Sequence, residues 1–190
     1  MFKESITKEE LIDLPLRWFQ GEIQVIEEQE QVSEVLEFLS SQRVIGFDTE
    51  TRPAFKKGVV HKVALLQLSI ADKAYLFRVN KMGVPPEIIN ILSNPHIIKP
   101  GVAIRDDIKG LQAISMFKPQ GFIELQDYAK EMGILNYSLK KLAAIVLGIR
   151  ISKSQQLTNW EVPVLTEAQQ IYAATDAWAA FEIYKTMFNN

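Results

Sequence analysis

Val44-Ile-Gly-Phe-Asp-Thr-Glu50, Val63-Ala-Leu-Leu-Gln-Leu-Ser-Ile70 and Lys73-Ala-Tyr-Leu-Phe-Arg-Val79 are three apolar runs of strand length. A segment carrying Gly58 and the polar pair Ala71-Asp72 separate them, so they read as three consecutive strands in a meander. The rhythm then changes. Pro85 to Leu92 reads as a short helix, Ile97 to Val102 as a strand, Asp106 to Ser115 as a helix and Phe122 to Leu125 as one more strand. Helices are expected over Gln126 to Met132, Ser138 to Leu147 and Thr166 to Phe188, the last opened by Thr166 and Gln169 as a capping box after an irregular stretch, Ile149 to Val164. Upstream, Thr7 and Glu10 form another capping box before a helix over Lys8 to Asp13, Ile23 to Ile26 reads as a strand, and Gln31 to Ser40 as a helix. A meander followed by alternating helices and strands implies an α/β fold: a mixed, mostly parallel sheet with an antiparallel strand and helices on both faces.

At 190 residues the chain has the size of one domain, expected over 1–190 with residues 1–20 as an appendage. Hydrophobic residues make up 47% and charged ones 23%, which excludes disordered and collagenous classes. There is no cysteine, so disulfides, thiolate metal sites and a cysteine nucleophile are excluded. Only His61 and His96 are present, so any metal must be held mainly by carboxylates. The net charge of −2 hides an asymmetry, since residues 1–40 sum to −7 and residues 41–190 to +5. A polyanionic ligand therefore suits the larger part. No segment approaches the roughly 18 uninterrupted apolar residues of a membrane span, and no leader pattern opens the chain, so the cytoplasm is the expected location.

Asp48-Thr49-Glu50 ends the first strand of the meander, and the period of two places both carboxylates on one face with Thr49 on the other. Adjacent acids repel unless a cation lies between them, and a hard divalent ion prefers such oxygens. By itself the triplet reads first as a solvated strand end. Tyr172 and Asp176 lie four apart on one helical face among Ala173, Ala174, Ala177, Ala179 and Ala180, a run that implies close packing. An acid there must be paired, hydrogen-bonded or metal-bound. Gly101-Val-Ala-Ile-Arg-Asp-Asp107-Ile-Lys-Gly-Leu111 is a strand-to-helix turn with two acids at the helix start, where the exposed amides favour aspartate in any case. Gly101 permits either a close backbone approach or a simple turn.

Together, Phe47-Asp-Thr-Glu50, the segment from Gly101 to Leu111 and Tyr172-Ala-Ala-Thr-Asp176 resemble the three motifs of the DEDD superfamily of 3′-to-5′ exonucleases, in the same order. A tyrosine four before the last aspartate is similar to the tyrosine-bearing subfamily. Ser154-Gln-Gln-Leu-Thr-Asn-Trp160 and the stretch from Leu165 to Ala177 resemble its Werner-type branch, and the likeness runs from about Gln24 to Met187. The resemblance implies a ribonuclease H-like fold and a metal-dependent exonuclease that releases nucleoside 5′-monophosphates from DNA or RNA with a free 3′ end, DNA being favoured. It also implies that Asp48, Glu50, Asp107 and Asp176 hold two Mg²⁺ or Mn²⁺ ions, with Tyr172 orienting the attacking water. Tyrosine titrates near 10, which suits hydrogen bonding better than strong-base work. Adjacent helical residues diverge by about 100°, so Asp106 and Asp107 cannot both face one metal, and the resemblance to the family's second motif implies that Asp107 is the one that does.

Arg52, Lys56, Lys57, His61 and Lys62 crowd the connection after the acidic strand end, and they read either as phosphate contacts or as a solvated hairpin tip. Phe55 is a candidate terminal-base wedge. Lys153, Asn159 and Trp160 precede the last helix, and Trp160 reads either as a base-stacking side chain or as an anchor for its loop. Two rivals are a ribonuclease D-like RNA trimming enzyme and a non-catalytic nucleic-acid-binding module. The second should have lost one or more acids, and all are present.

Overall fold

The computed structural model describes residues 2–56 and 58–188, so Lys57 lies outside the described residues. The first capping box forms as the sequence requires: the Thr7 amide donates to Glu10 Oε2 at 2.9 Å and the Glu10 amide to Thr7 Oγ1 at 3.2 Å. They open α1 (Lys8–Asp13). Then come β1 (Glu22–Ile26), α2 (Gln29–Ser40), and the meander of β2 (Gly46–Thr51), β3 (Val63–Ser69) and β4 (Lys73–Phe77). The second half supplies α3 (Val79–Met82), α4 (Pro86–Leu92), β5 (Lys99–Gly101), α5 (Ile104–Gln112), β6 (Phe122–Glu124) and α6 (Leu125–Glu131). Last are α7 (Leu139–Leu142), which passes into a π-helical turn over Ala143–Leu147, and α8 (Glu167–Phe188). The sequence shows neither α3 nor the π turn, because the apolar spacing of 138–147 fits an unbroken helix equally well.

Four strands pair in the order β1-β4-β3-β2, with β3 antiparallel to both neighbours and β1 parallel to β4. A parallel bridge between Val44 and Ile98 carries the sheet on to the parallel pair β5 and β6. Only β3 therefore opposes the other strands, giving the mixed, mostly parallel sheet of a ribonuclease H-like fold. Alternation along the strands sends Phe47, Leu66, Leu68 and Phe77 into a core shared with α2, α4 and α5. Leu65 and Leu76 point the other way, into a core with Tyr172 and Ala173 of α8.

Gly46 sets how closely α8 approaches the sheet. A Cβ there would stand 2.0 Å from the Ala177 carbonyl oxygen and 2.9 Å from Phe181 Cβ, so no larger residue fits beneath the helix. The alanines of α8 face the sheet for the same reason. At Gly101 a Cβ would meet Phe47 O at 2.8 Å and Ile104 Cγ2 at 2.3 Å, and its φ is not positive. Of the two roles open to Gly101, the structure takes the close approach.

Candidate active site

β2 presents Asp48 and Glu50 on the face that α8 covers, and α8 presents Tyr172 and Asp176 back to them. One carboxylate oxygen from each of Asp48, Glu50 and Asp176 lies within 4.8 Å of the others. The three flank a cavity of about 320 Å³ whose walls include Tyr172, Lys140, Ser152, Lys153 and Gln156. Among the described residues none of the three acids has an ion-pair partner.

Burial and mutual repulsion act together on these acids. Burial, then the charges of Asp176, Glu50 and Asp107, hold the Asp48 carboxyl well above the usual carboxylate range. Glu50 is pushed up to about 9, chiefly by burial and then by Asp176 and Asp107. Asp176 rises to about 7 through burial, opposed by a hydrogen bond from Tyr172 and by the Lys153 charge. Tyr172 itself is driven upward by burial and by the acids around it, so its phenol keeps its proton. Such a set holds protons at neutral pH unless a cation replaces them, and that is the donor chemistry a hard divalent metal ion requires.

Asp107 approaches from the opposite side. Helix α5 packs into the other core through Ile104 and Leu111, so Asp107 meets β2 beside Thr49, whose hydroxyl donates to Asp107 Oδ1. The structure thus gathers three of the four predicted acids at the cavity and holds the fourth on Thr49, close enough to raise its neighbours' pKa. Asp107 rises to about 6 because burial outweighs the Thr49 hydrogen bond. Asp106 points to solvent and pairs with Lys109 at 3.0 Å. The start of α5 is fixed by Glu124, which accepts from the amides of Ala103 at 2.8 Å and Ile104 at 2.9 Å. Ala103 adopts φ 62°, a left-handed conformation that costs a non-glycine residue energy and that Glu124 holds in place. Sequence reading missed Thr49 and Glu124 as site residues. A hydroxyl between two acids and a glutamate at the end of the strand beside Gly101 were the available signals.

The predicted substrate residues divide. Lys153 lines the acidic cavity. Arg52, Phe55, Lys56, His61 and Asn159 line a second groove of about 400 Å³ between the β2–β3 connection and the loop before α8, with Phe55 80% exposed. Arg52 there also pairs with Glu161 at 3.2 Å. Lys62 is exposed outside that groove. Trp160 must be corrected as a base-stacking candidate: it is fully buried, 5.9 Å from the Tyr172 ring and packed with Leu65 and Leu76. An indole is the largest apolar surface its loop has to bury, so it anchors that loop and cannot meet a base. Buried Arg78 helps hold the loop by donating to the Val162 carbonyl, and Lys81 donates to the Pro163 carbonyl at 2.7 Å.

Known proteins resemble the chain in sequence and in fold. A mouse protein, the bifunctional 3′-5′ exonuclease/ATP-dependent helicase WRN, is 38% identical over 157 residues, which is 80% of this chain and 11% of that protein. The chain therefore spans about a tenth of that relative. The solved Nibbler EXO domain of Aedes aegypti superposes with a TM-score of 0.81 at 23% identity over 91% of each chain. Escherichia coli RNase D does so with a TM-score of 0.79 at 23% identity, covering 88% of this chain and 44% of that one. At that identity the two structures speak for the fold alone. The sequence model of the 3′-5′ exonuclease family matches residues 23–190, from β1 onward and through all three acidic motifs, and the chain belongs to that family.

Proposed function

We propose that the chain hydrolyses phosphodiester bonds at the 3′ end of a DNA strand, one nucleotide at a time, and releases nucleoside 5′-monophosphates with Mg²⁺ or Mn²⁺. The observation that carries this reading is the convergence of Asp48, Glu50 and Asp176 within 4.8 Å on the wall of a cavity that also holds Tyr172. Asp107 stands beside them, held by the Thr49 hydroxyl. Bound divalent ions would supply an acidified water, a shield for charge gathering on phosphorus, and stabilisation of the leaving 3′-oxygen.

The remaining work belongs to the chain's own groups. Tyr172 stays protonated and hydrogen-bonded to Asp176, so its hydroxyl can hold the attacking water in line with phosphorus without acting as the base. Lys153 offers a positive charge to a non-bridging phosphate oxygen at the cavity wall. The groove of Arg52, Phe55, Lys56 and His61 combines cations with an exposed ring, the pairing that holds a single strand by its phosphates and bases. Likeness to the Werner-type branch supports DNA over RNA. The test is digestion of 5′-labelled DNA and RNA oligonucleotides with Mg²⁺, Mn²⁺ or chelator. A ladder shortening by single nucleotides on DNA, abolished by chelator, is expected. Immediate release of the label as a mononucleotide, or cleavage undiminished in chelator, refutes the assignment.

A further inference from the structure

The segment before β1 lies outside the family match, which begins at residue 23, yet it is stitched onto the catalytic layer. Leu16 bridges to Arg150, the Arg17 amide donates to the Arg150 carbonyl at 2.8 Å, and the Phe19 amide donates to Thr175 Oγ1 at 3.0 Å. Phe19 is buried between Ala74 and Ala174. Between these anchors Trp18 is left 46% exposed, although an indole gains more from burial than any other side chain of the segment. It stands on the wall of a cavity of about 390 Å³ with Ile171, Tyr172, Ser152 and Ser154. Ser152 and Tyr172 also line the acidic cavity, so the two spaces adjoin across the tyrosine.

The hydroxyl protons of Ser152 and Thr175 in this second space are already engaged. Ser152 Oγ donates to Ser154 Oγ at 3.0 Å, and Thr175 Oγ1 donates to the Ile171 carbonyl at 2.6 Å. What is left for a ligand is an apolar slot with an aromatic face and, at its edge, Arg17, which has no ion pair among the described residues. A flat, sequence-tolerant π system with a phosphate nearby matches that chemistry.

We propose that Trp18 forms a stacking subsite for the unpaired base of the 3′-terminal nucleotide, whose scissile phosphodiester lies in the adjoining acidic cavity. The proposal rests on the exonuclease reading and specifies how this chain grips the residue it removes. It also makes an unpaired terminus the preferred substrate, because a base held in a duplex cannot enter the slot.

The experiment compares wild type, Trp18→Ala and Trp18→Phe on 5′-labelled single-stranded oligonucleotides whose 3′-terminal nucleotide is either intact or abasic. Trp18→Ala should raise KM on the intact oligonucleotide by about tenfold or more, with Trp18→Phe recovering most of the loss, as expected for one stacked base. Removing the base should raise the wild-type KM similarly, and the two losses should not multiply. A Trp18→Ala KM equal to wild type, or losses that multiply in full, overturns the proposal. A second arm titrates deoxyadenosine 5′-monophosphate against deoxyribose 5-phosphate in Mn²⁺ and follows tryptophan emission. Quenching by the nucleotide alone, absent in Trp18→Phe, is expected, and unchanged emission refutes the subsite. Because that arm needs no hydrolysis, an inactive wild type would defeat the exonuclease reading without deciding this one.

Discussion

Replacing Asp176 by asparagine should make the metal-free protein more stable while destroying its activity. Asp176 is raised from 3.8 to about 7, mainly by burial. An acid with a raised native pKa is ionised first in the unfolded chain, so the metal-free native state loses stability as pH climbs from about 4 to about 7 and stays at the lower level above that. Full ionisation at pH 8 costs roughly 4 kcal/mol at about 1.4 kcal/mol per pH unit. Proton sharing with Asp48 and Glu50 makes that figure an upper bound on the recoverable part. At about 2–4 °C per kcal/mol for a domain of this size, Asp176→Asn should melt several degrees above wild type. The asparagine carbonyl still accepts from Tyr172, so the local packing survives. The assay is thermal unfolding by circular dichroism in chelator at pH 8 and pH 4, repeated with Mn²⁺. The gap should open at pH 8 and close at pH 4, and Mn²⁺ should raise wild type far more than the variant. A variant that melts at or below wild type at pH 8 in chelator would show that ionising the buried Asp176 does not cost the native state stability.

Asp107→Asn should lower kcat at saturating Mn²⁺ by about tenfold or more through loss of charge beside the site, whereas the solvent-facing Asp106→Asn should keep the wild-type rate in a side-by-side assay. Thr49→Val removes the hydrogen bond that restrains the Asp107 pKa, so in metal-free protein the Asp107 carboxyl should titrate above about 6, read from its carboxyl carbon by NMR. Tyr172→Phe should reduce kcat with little change in the Mn²⁺ concentration needed for half-maximal rate, and a parallel loss of metal affinity would make the tyrosine structural. Phe55→Ala with Lys56→Ala should raise KM for long single strands with kcat nearly intact, read by the same ladder assay.

The acidic motifs were legible because their spacing is local: two carboxylates alternate along one strand, and a tyrosine and an aspartate share one turn of helix. The run of β2, β3 and β4 was legible from the meander, whereas the parallel place of β1 beside β4 was not. Contacts between distant residues left no local pattern. Thr49 meets Asp107 across 58 positions, and the Phe19 amide meets Thr175 across 156. A period of two says that Thr49 faces away from the acids, but only the packing of α5 on that face shows what it meets. Trp160 illustrates the converse, since identity told that an aromatic was needed in the loop and only the fold told that it points inward.

Gly46 gives the acidic cluster of this chain a condition that no acidic residue reveals. The spacing between Asp48 and Asp176 is fixed by α8 resting on backbone that carries no side chain, where one methyl group would stand 2.0 Å from Ala177 O. Gly46→Ala would leave every charge, hydroxyl and motif in place and still lift the helix that carries Asp176. An intact set of acids is therefore no certificate of a working nuclease: in this chain, silence can be written in the addition of one methyl group at Gly46 as effectively as in the loss of an aspartate.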